Sequence, residues 1–166
     1  RTMRIFESFH EEYPDEVGIV IQTMLKRAEA DIERMIARRA RVRLVKGAYA
    51  EPASIAFQDT EAIDANYRRL MERLLAEGRY PALATHDPKL IEAATDFARR
   101  RGISNDSWEF QMLYGVRRDE QIRLFEAGYR MRVYIPYGPK WYPYFTRRIA
   151  ERPANALFVV RQFFSK

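Results

Sequence analysis

The sequence predicts an α/β fold built on a parallel sheet. Three observations lead there. Short, β-branched apolar runs alternate with longer stretches of helical apolar spacing, five times in succession. Connections are short and no Gly/Ser-rich linker interrupts them, so residues 1–166 read as a single domain. Consecutive strands separated by helices pair in parallel, because each return requires a crossover. A doubly wound open sheet and part of a (βα)8 barrel both satisfy this pattern. A complete barrel needs about 200 residues at the least, so at 166 residues any barrel here is a portion of one.

The elements follow in order. Residues 3–13 (MRIFESFHEEY) are helical in pattern. Residues 17–22 (VGIVIQ) form the first buried strand, and residues 25–40 repeat apolar side chains at Leu25, Ala28, Ile32, Met35 and Ile36. Residues 42–46 (VRLVK) are the second strand, stopped by Gly47. Residues 60–77 are helical, with Ile63, Tyr67, Leu70 and Leu74 on one face and Gly78 as the stop. Residues 80–86 (YPALATH) are strand-like, and Asp87–Pro88 reads as an N-cap and first helical position for a helix ending at Gly102. Residues 108–113 (WEFQML) are the fourth strand, residues 119–127 a helix ending at Gly128, and residues 129–135 (YRMRVYI) the fifth strand. Helices are expected over 144–151 and 155–164.

Composition narrows the chemistry. The absence of cysteine excludes disulfides, thiolate metal sites and cysteine nucleophiles. Two histidines, His10 and His86, are too few for a multi-histidine site, and no metal is expected. No GxGxxG or GxxxxGK[ST] follows the first strand, which removes the usual nucleotide-binding fingerprints. The net charge of +6 comes chiefly from 24 arginines. Runs such as Arg38–Arg39 and Arg99–Arg101 close helical segments, where cations suit the helix dipole and face water. The aromatic residues fall into apolar periodicity rather than an exposed stacking row, so nucleic acid is not an expected partner. No apolar run approaches the ~20 residues of a membrane span, and no leader pattern opens the chain. A cytoplasmic protein is expected, with peripheral contact at the inner face of a membrane left open.

Polar residues cluster at one level. Gln22, Lys46, His86, Gln111 and Tyr134 fall at or near the C-terminal ends of the five strands, which in a barrel converge on one mouth where chemistry sits. In RLVKGAY, alternation puts Arg43 and Val45 on one face and Lys46 on the other. Both cations reach one ligand only if the pleat breaks near Gly47. They suit an anionic or electron-rich ligand, ion pairs with neighbouring carboxylates, or, for Lys46, a Schiff base. His86 is either a hydrogen-bonded turn residue or a donor to a ligand. Tyr144, Arg147, Arg148 and Glu151, spaced i, i+3, i+4 and i+7, share one helical stripe. Two guanidiniums on such a stripe suit a carboxylate ligand, although a solvated basic face has the same pattern.

VGIVIQ, RLVKGAY, ATHD, EFQMLYG, RVYIPYG and YFTRRIAER, in this order, resemble the catalytic barrel of the proline dehydrogenase family. The resemblance covers nearly the whole chain. It implies a partial (βα)8 TIM-type barrel, about the last five βα units. It also implies an enzyme that uses FAD to oxidise L-proline to Δ1-pyrroline-5-carboxylate, by hydride transfer from the ring carbon to flavin N5. Expected partners are L-proline, a quinone-type electron acceptor, and pyrroline-5-carboxylate dehydrogenase as the next enzyme. By the same resemblance Gln22, Arg43, Lys46, Gly47, Tyr49, Thr85, His86 and Gln111 contact the cofactor, with Arg43 near N5. Leu113, Tyr134, Tyr144, Arg147, Arg148 and Glu151 contact the substrate, the two arginines gripping its carboxylate. Arg43 and Tyr134 are the expected catalytic residues. The family's remaining strands supply a lysine and an aspartate not found here. Five parallel strands alone expose two edges and one face, so the segment by itself is expected to be unstable or to associate, to bind flavin poorly, and to be inactive.

Overall fold

The computed structural model describes residues 2–139. Helix α1 (Thr2–Glu12) precedes five strands, β1 (Gly18–Gln22), β2 (Arg41–Val45), β3 (Ala82–Ala84), β4 (Glu109–Leu113) and β5 (Met131–Tyr134). Between them run α2 (Ala28–Ala37), α3 (Thr60–Glu77), α4 (Pro88–Arg101) and α5 (Arg118–Glu126). All strand pairs are parallel, and their order in the sheet is β1-β2-β3-β4-β5. That order decides between the two candidate architectures. A doubly wound sheet reverses direction at a switch point, whereas these strands are added on one side only, as in a barrel wall. Among the described residues no helix is long and apolar enough to cross a membrane.

Alternation then sorts the side chains. Ile19, Ile21, Val42, Leu44, Leu83, Phe110 and Met112 are buried and join Ile32, Met35, Tyr67, Leu70, Leu74, Leu90, Ile91 and Leu124 of the helices in one core. The intervening residues face the other, concave side. Register places Val20, Arg43, Ala82 and Glu109 in one row. One level higher, Gln22 pairs with Val45, and Ala84, Gln111 and Arg132 lie in register. The helices therefore pack on one face of the sheet, and the polar residues occupy the other.

The ends of elements follow local chemistry. The Asp59 carboxylate accepts from the Ala62 amide at 2.8 Å and starts α3. Asp87 accepts from the Lys89 amide at 3.0 Å ahead of Pro88, which starts α4 as its sequence requires. Gly78 ends α3 in extended backbone, not left-handed. The reason for glycine there is room, since a Cβ would stand 2.6 Å from the Leu74 carbonyl oxygen.

Several expected boundaries contract. Helix α2 starts at Ala28 because Leu25 is held in a turn, bridged to Ala56, and Arg39 leaves the helix at φ +52°. The strand expected over 80–86 shortens to Ala82–Ala84, since Tyr80 takes φ +46° and Pro81 has no amide hydrogen to donate. Lys46 falls outside β2 because the pleat ends at Val45. The expected helices at 144–151 and 155–164 lie outside the described residues.

Phe110 is fully buried, edge-on to Trp108 at 4.7 Å and to Tyr129 at 5.8 Å between ring centroids. Phe110→Ala should cost about 3–5 kcal/mol of unfolding free energy, measured by urea denaturation. A loss below about 1 kcal/mol would show that the site collapses around the missing ring.

Candidate active site

The C-terminal ends of the strands enclose a cavity of about 630 Å³. Gln22 of β1, Arg43 of β2, Gln111 and Leu113 of β4 and Tyr134 of β5 line it, with Lys46, Gly47 and Tyr49 from the loop after β2 and Thr85 and His86 from the loop after β3. Every sequence-predicted site residue up to position 134 thus meets at one mouth. Tyr144, Arg147, Arg148 and Glu151 lie outside the described residues.

The loop after β2 brings the two cations to the same side. Gly47 adopts φ +115°, and a Cβ there would lie 2.3 Å from the Met24 sulfur and 3.1 Å from Gln22 Oε1. The Met24 side chain is buried, so it would have to shift among packed neighbours to make room. Glycine at 47 therefore satisfies both the backbone angle and the contact. The break lets Lys46 turn into the cavity despite its place in the alternation.

Lys46 and Arg43 have different electrostatic surroundings. Lys46 Nζ stands 2.6 Å from Asp64 Oδ1 on α3 and 2.7 Å from Asp87 Oδ2 at the start of α4. This uses Lys46 as a fixed cation, not as the free amine a Schiff base needs. Burial alone raises the Asp87 carboxyl, but the Lys46 hydrogen bond and charge more than reverse this and hold it below the ordinary range. Arg43 Nε instead donates to Gln111 Oε1 at 2.7 Å, a neutral partner, and no ion pair joins Arg43 to a carboxylate among the described residues.

His86 is fixed on two sides. Its Nε2 accepts from the Leu113 amide at 3.0 Å, and its carbonyl accepts from Arg117 Nη1 at 2.9 Å. A neutral ring accepting at Nε2 carries its proton on Nδ1, which remains a donor. Burial, reinforced by the Arg117 charge, lowers the imidazole below its ordinary value. Thr85 Oγ1 accepts from the Asp87 amide at 3.1 Å and helps shape the turn. Gln121 of α5 donates to the Leu113 carbonyl at 3.0 Å and the Val116 carbonyl at 2.8 Å, anchoring the loop beyond β4.

A family model described as Proline dehydrogenase matches residues 1–161. The chain belongs to the proline dehydrogenase family. It is 45% identical to Proline dehydrogenase 2 of Bacillus subtilis (strain 168), over 97% of this chain and 53% of that protein. It is 48% identical to Proline dehydrogenase of Deinococcus radiodurans, over 96% of this chain and 52% of that one. The chain spans about half the length of these curated relatives. The crystal structure of proline utilization A (PutA) from Bdellovibrio bacteriovorus inactivated by N-propargylglycine aligns with a TM-score of 0.82 at 28% identity, covering 89% of this chain and 18% of that one. The five strands of this proline dehydrogenase family member are thus part of a (βα)8 TIM-type barrel.

Residues that sequence reasoning did not assign to the site also belong around it. Asp64 and Asp87 are the partners of Lys46. Glu109, Arg132 and Tyr80 stand behind Gln111. Glu109 shares a face with Gln111 by simple alternation, so a buried carboxylate beside it was available as a signal. The Lys46 partners had no comparable local mark.

His86 has a testable pH signature. Its folded-state value is depressed, so the unfolded chain binds a proton first as pH falls. The stability gained from keeping it neutral is present above the unfolded value of about 6.5. That stability declines below this value, down to the folded one. Between about pH 7 and about pH 5.5 the wild-type Tm should fall more steeply than that of His86→Gln. Parallel curves would remove this role.

Proposed function

We propose that this chain forms, as a single domain, the cofactor-binding mouth of a proline dehydrogenase that oxidises L-proline to Δ1-pyrroline-5-carboxylate with FAD. The observation carrying this reading is the donor set of the cavity. Arg43, the Nδ1–H of His86 and the amides of Gln22 and Gln111 are the polar groups a planar heteroaromatic with nitrogen and oxygen edges requires, set among apolar Val20, Val45, Ala84 and Leu113. Family membership and the bond between Arg43 and Gln111 support the same assignment. The chemistry FAD supplies when bound is hydride acceptance at N5 from the proline ring carbon and onward transfer of electrons to a quinone-type acceptor.

The chain's own residues position and polarise. Arg43 supplies the positive charge that stabilises negative charge developing in the cavity; its partner Gln111 is neutral, and among the described residues no carboxylate pairs with it. Lys46, held between the Asp64 and Asp87 carboxylates, contributes its position and its remaining hydrogen-bonding capacity rather than positive charge, since two carboxylates more than offset one ammonium. Gly47 and Tyr49 complete the wall after β2, and Thr85 the wall after β3. Leu113 and Tyr134 present apolar and phenolic surface to the substrate ring. By the family resemblance Arg147 and Arg148, with Tyr144 and Glu151, would bind the proline carboxylate, which would hold the ring carbon in a near-attack position. The product then passes to pyrroline-5-carboxylate dehydrogenase. The protein works in the cytoplasm, and delivery of electrons to a quinone favours peripheral contact with a membrane.

The test is the visible spectrum of the protein purified with the whole of its natural chain. A flavin band that bleaches on adding proline is expected, and a protein without that band refutes the proposal. In that protein Arg148→Met should raise the KM for proline by about one to two orders of magnitude, as loss of a charged hydrogen bond to substrate does. Flavin content should not change. An unaltered KM would remove the carboxylate role.

A further inference from the structure

Glu109 does not line the cavity, yet it is almost fully buried and accepts four hydrogen bonds. Arg132 Nε and Nη2 donate to its two oxygens at 2.6 and 2.9 Å. Tyr80 Oη donates at 3.2 Å and Gln111 Nε2 at 2.6 Å. The tyrosine is held there at a cost, since Tyr80 is a non-glycine residue at φ +46°, a conformation L side chains rarely adopt. Its ring carries the Arg41 guanidinium 5.7 Å from the centroid. Strain of this kind persists where the surroundings over-determine it.

The consequence lies one bond further on. An ionised carboxylate only accepts hydrogen bonds, so the Gln111 amide must turn its nitrogen toward Glu109 and its oxygen toward Arg43. The reversed amide would set oxygen against carboxylate and nitrogen against the Arg43 Nε–H, two repulsive contacts. Glu109 thereby fixes the amide, and the amide fixes Arg43 Nε. The resulting chain, Arg132–Glu109–Gln111–Arg43, runs from β5 to β2. It crosses β3 where that strand carries only Ala82 and Ala84 on the concave face. Burial alone raises the Glu109 carboxyl, and the bonds from Arg132 and Gln111 more than reverse this, keeping it ionised at neutral pH.

We infer that Glu109 is a positioning residue for the cation of the cavity, setting the Gln111 amide and, through it, the place of the Arg43 guanidinium. The inference rests on the flavin-binding reading above and adds a residue that touches neither cofactor nor substrate.

The test is a double-mutant cycle on the protein with its whole natural chain, read by FAD titration of the apoprotein and by Tm. Glu109→Gln keeps size and removes the obligate acceptor. It should raise the FAD Kd about tenfold in the wild-type background and less than about twofold in the Arg43→Met background. Glu109→Asp, which keeps a carboxylate, should recover part of the loss. Equal increases in both backgrounds, or a lowered Tm with unchanged Kd, would show a structural role only and overturn the inference. If Glu109→Gln fails to fold, Glu109→Asp takes its place in the same cycle, because the shorter side chain withdraws the carboxylate from the Gln111 amide without removing any residue of the cavity lining. A rise in FAD Kd in the wild-type background that is absent with Arg43→Met supports the inference, and equal rises in both backgrounds overturn it. A wild type that takes up no FAD overturns the flavin reading and this inference with it, whereas FAD binding with additive variants overturns only the positioning role.

Discussion

Parallel pairing in strict chain order is the constraint on which the rest of this structure depends. Because each strand is added on the same side of the last, every crossover helix lands on one face of the sheet. Alternation then assigns each strand two chemistries. Ile19, Val42, Leu83 and Phe110 face the helices, while Val20, Arg43, Ala82 and Glu109 face the hollow. A slip of one residue in β2, β4 or β5 would turn Arg43, Glu109 or Arg132 toward the helices. The apolar packing on one face therefore also fixes the register of the polar groups on the other.

The concave face manages its charges by spacing. Arg43 and Gln111 sit on strands that are not neighbours, and a bulky residue on β3 would stand between them. Ala82 and Ala84 leave that space open. Arg132 is satisfied by Glu109, and Lys46 by Asp64 and Asp87. Burying the Glu109 or Lys46 charge without a partner would cost several kcal/mol, so these ion pairs permit a polar hollow inside a fold otherwise held by apolar contact.

Much of this was legible from local pattern. The helix at 60–77, the Asp87–Pro88 start of α4 and the break at Gly47 each follow from a few adjacent residues. The convergence of strand ends on one mouth follows once the strands are parallel. What was not legible is non-local. Lys46 meets Asp87 across 41 positions and Arg43 meets Gln111 across 68. No spacing rule in the chain marks those pairs. Sequence reasoning posed ion pairing and ligand binding as alternatives for both cations of RLVKGAY, and the fold divides them, giving Lys46 the carboxylates and Arg43 the amide. Tyr80 was misjudged for a related reason. Its left-handed backbone is opposed by local preference, and the ring and hydroxyl contacts that accompany it involve Arg41 and Glu109.

That division bears on mechanism. Two cations at one mouth suggest a strongly positive site, but a cation flanked by carboxylates contributes little field at a distance, and one bonded to a neutral amide contributes nearly all of its own. With Lys46 more than offset by two carboxylates and His86 held neutral by burial beside Arg117, the positive charge lining the cavity that no carboxylate pairs with is, among the described residues, that of Arg43. A site of this kind discriminates by position. It stabilises negative charge that develops next to one guanidinium more than charge a few ångströms away, which is what an enzyme needs from a group that must act in the transition state and not merely attract anions. The orientation of the Gln111 amide then matters more than the number of basic residues nearby, because it determines where that single charge stands.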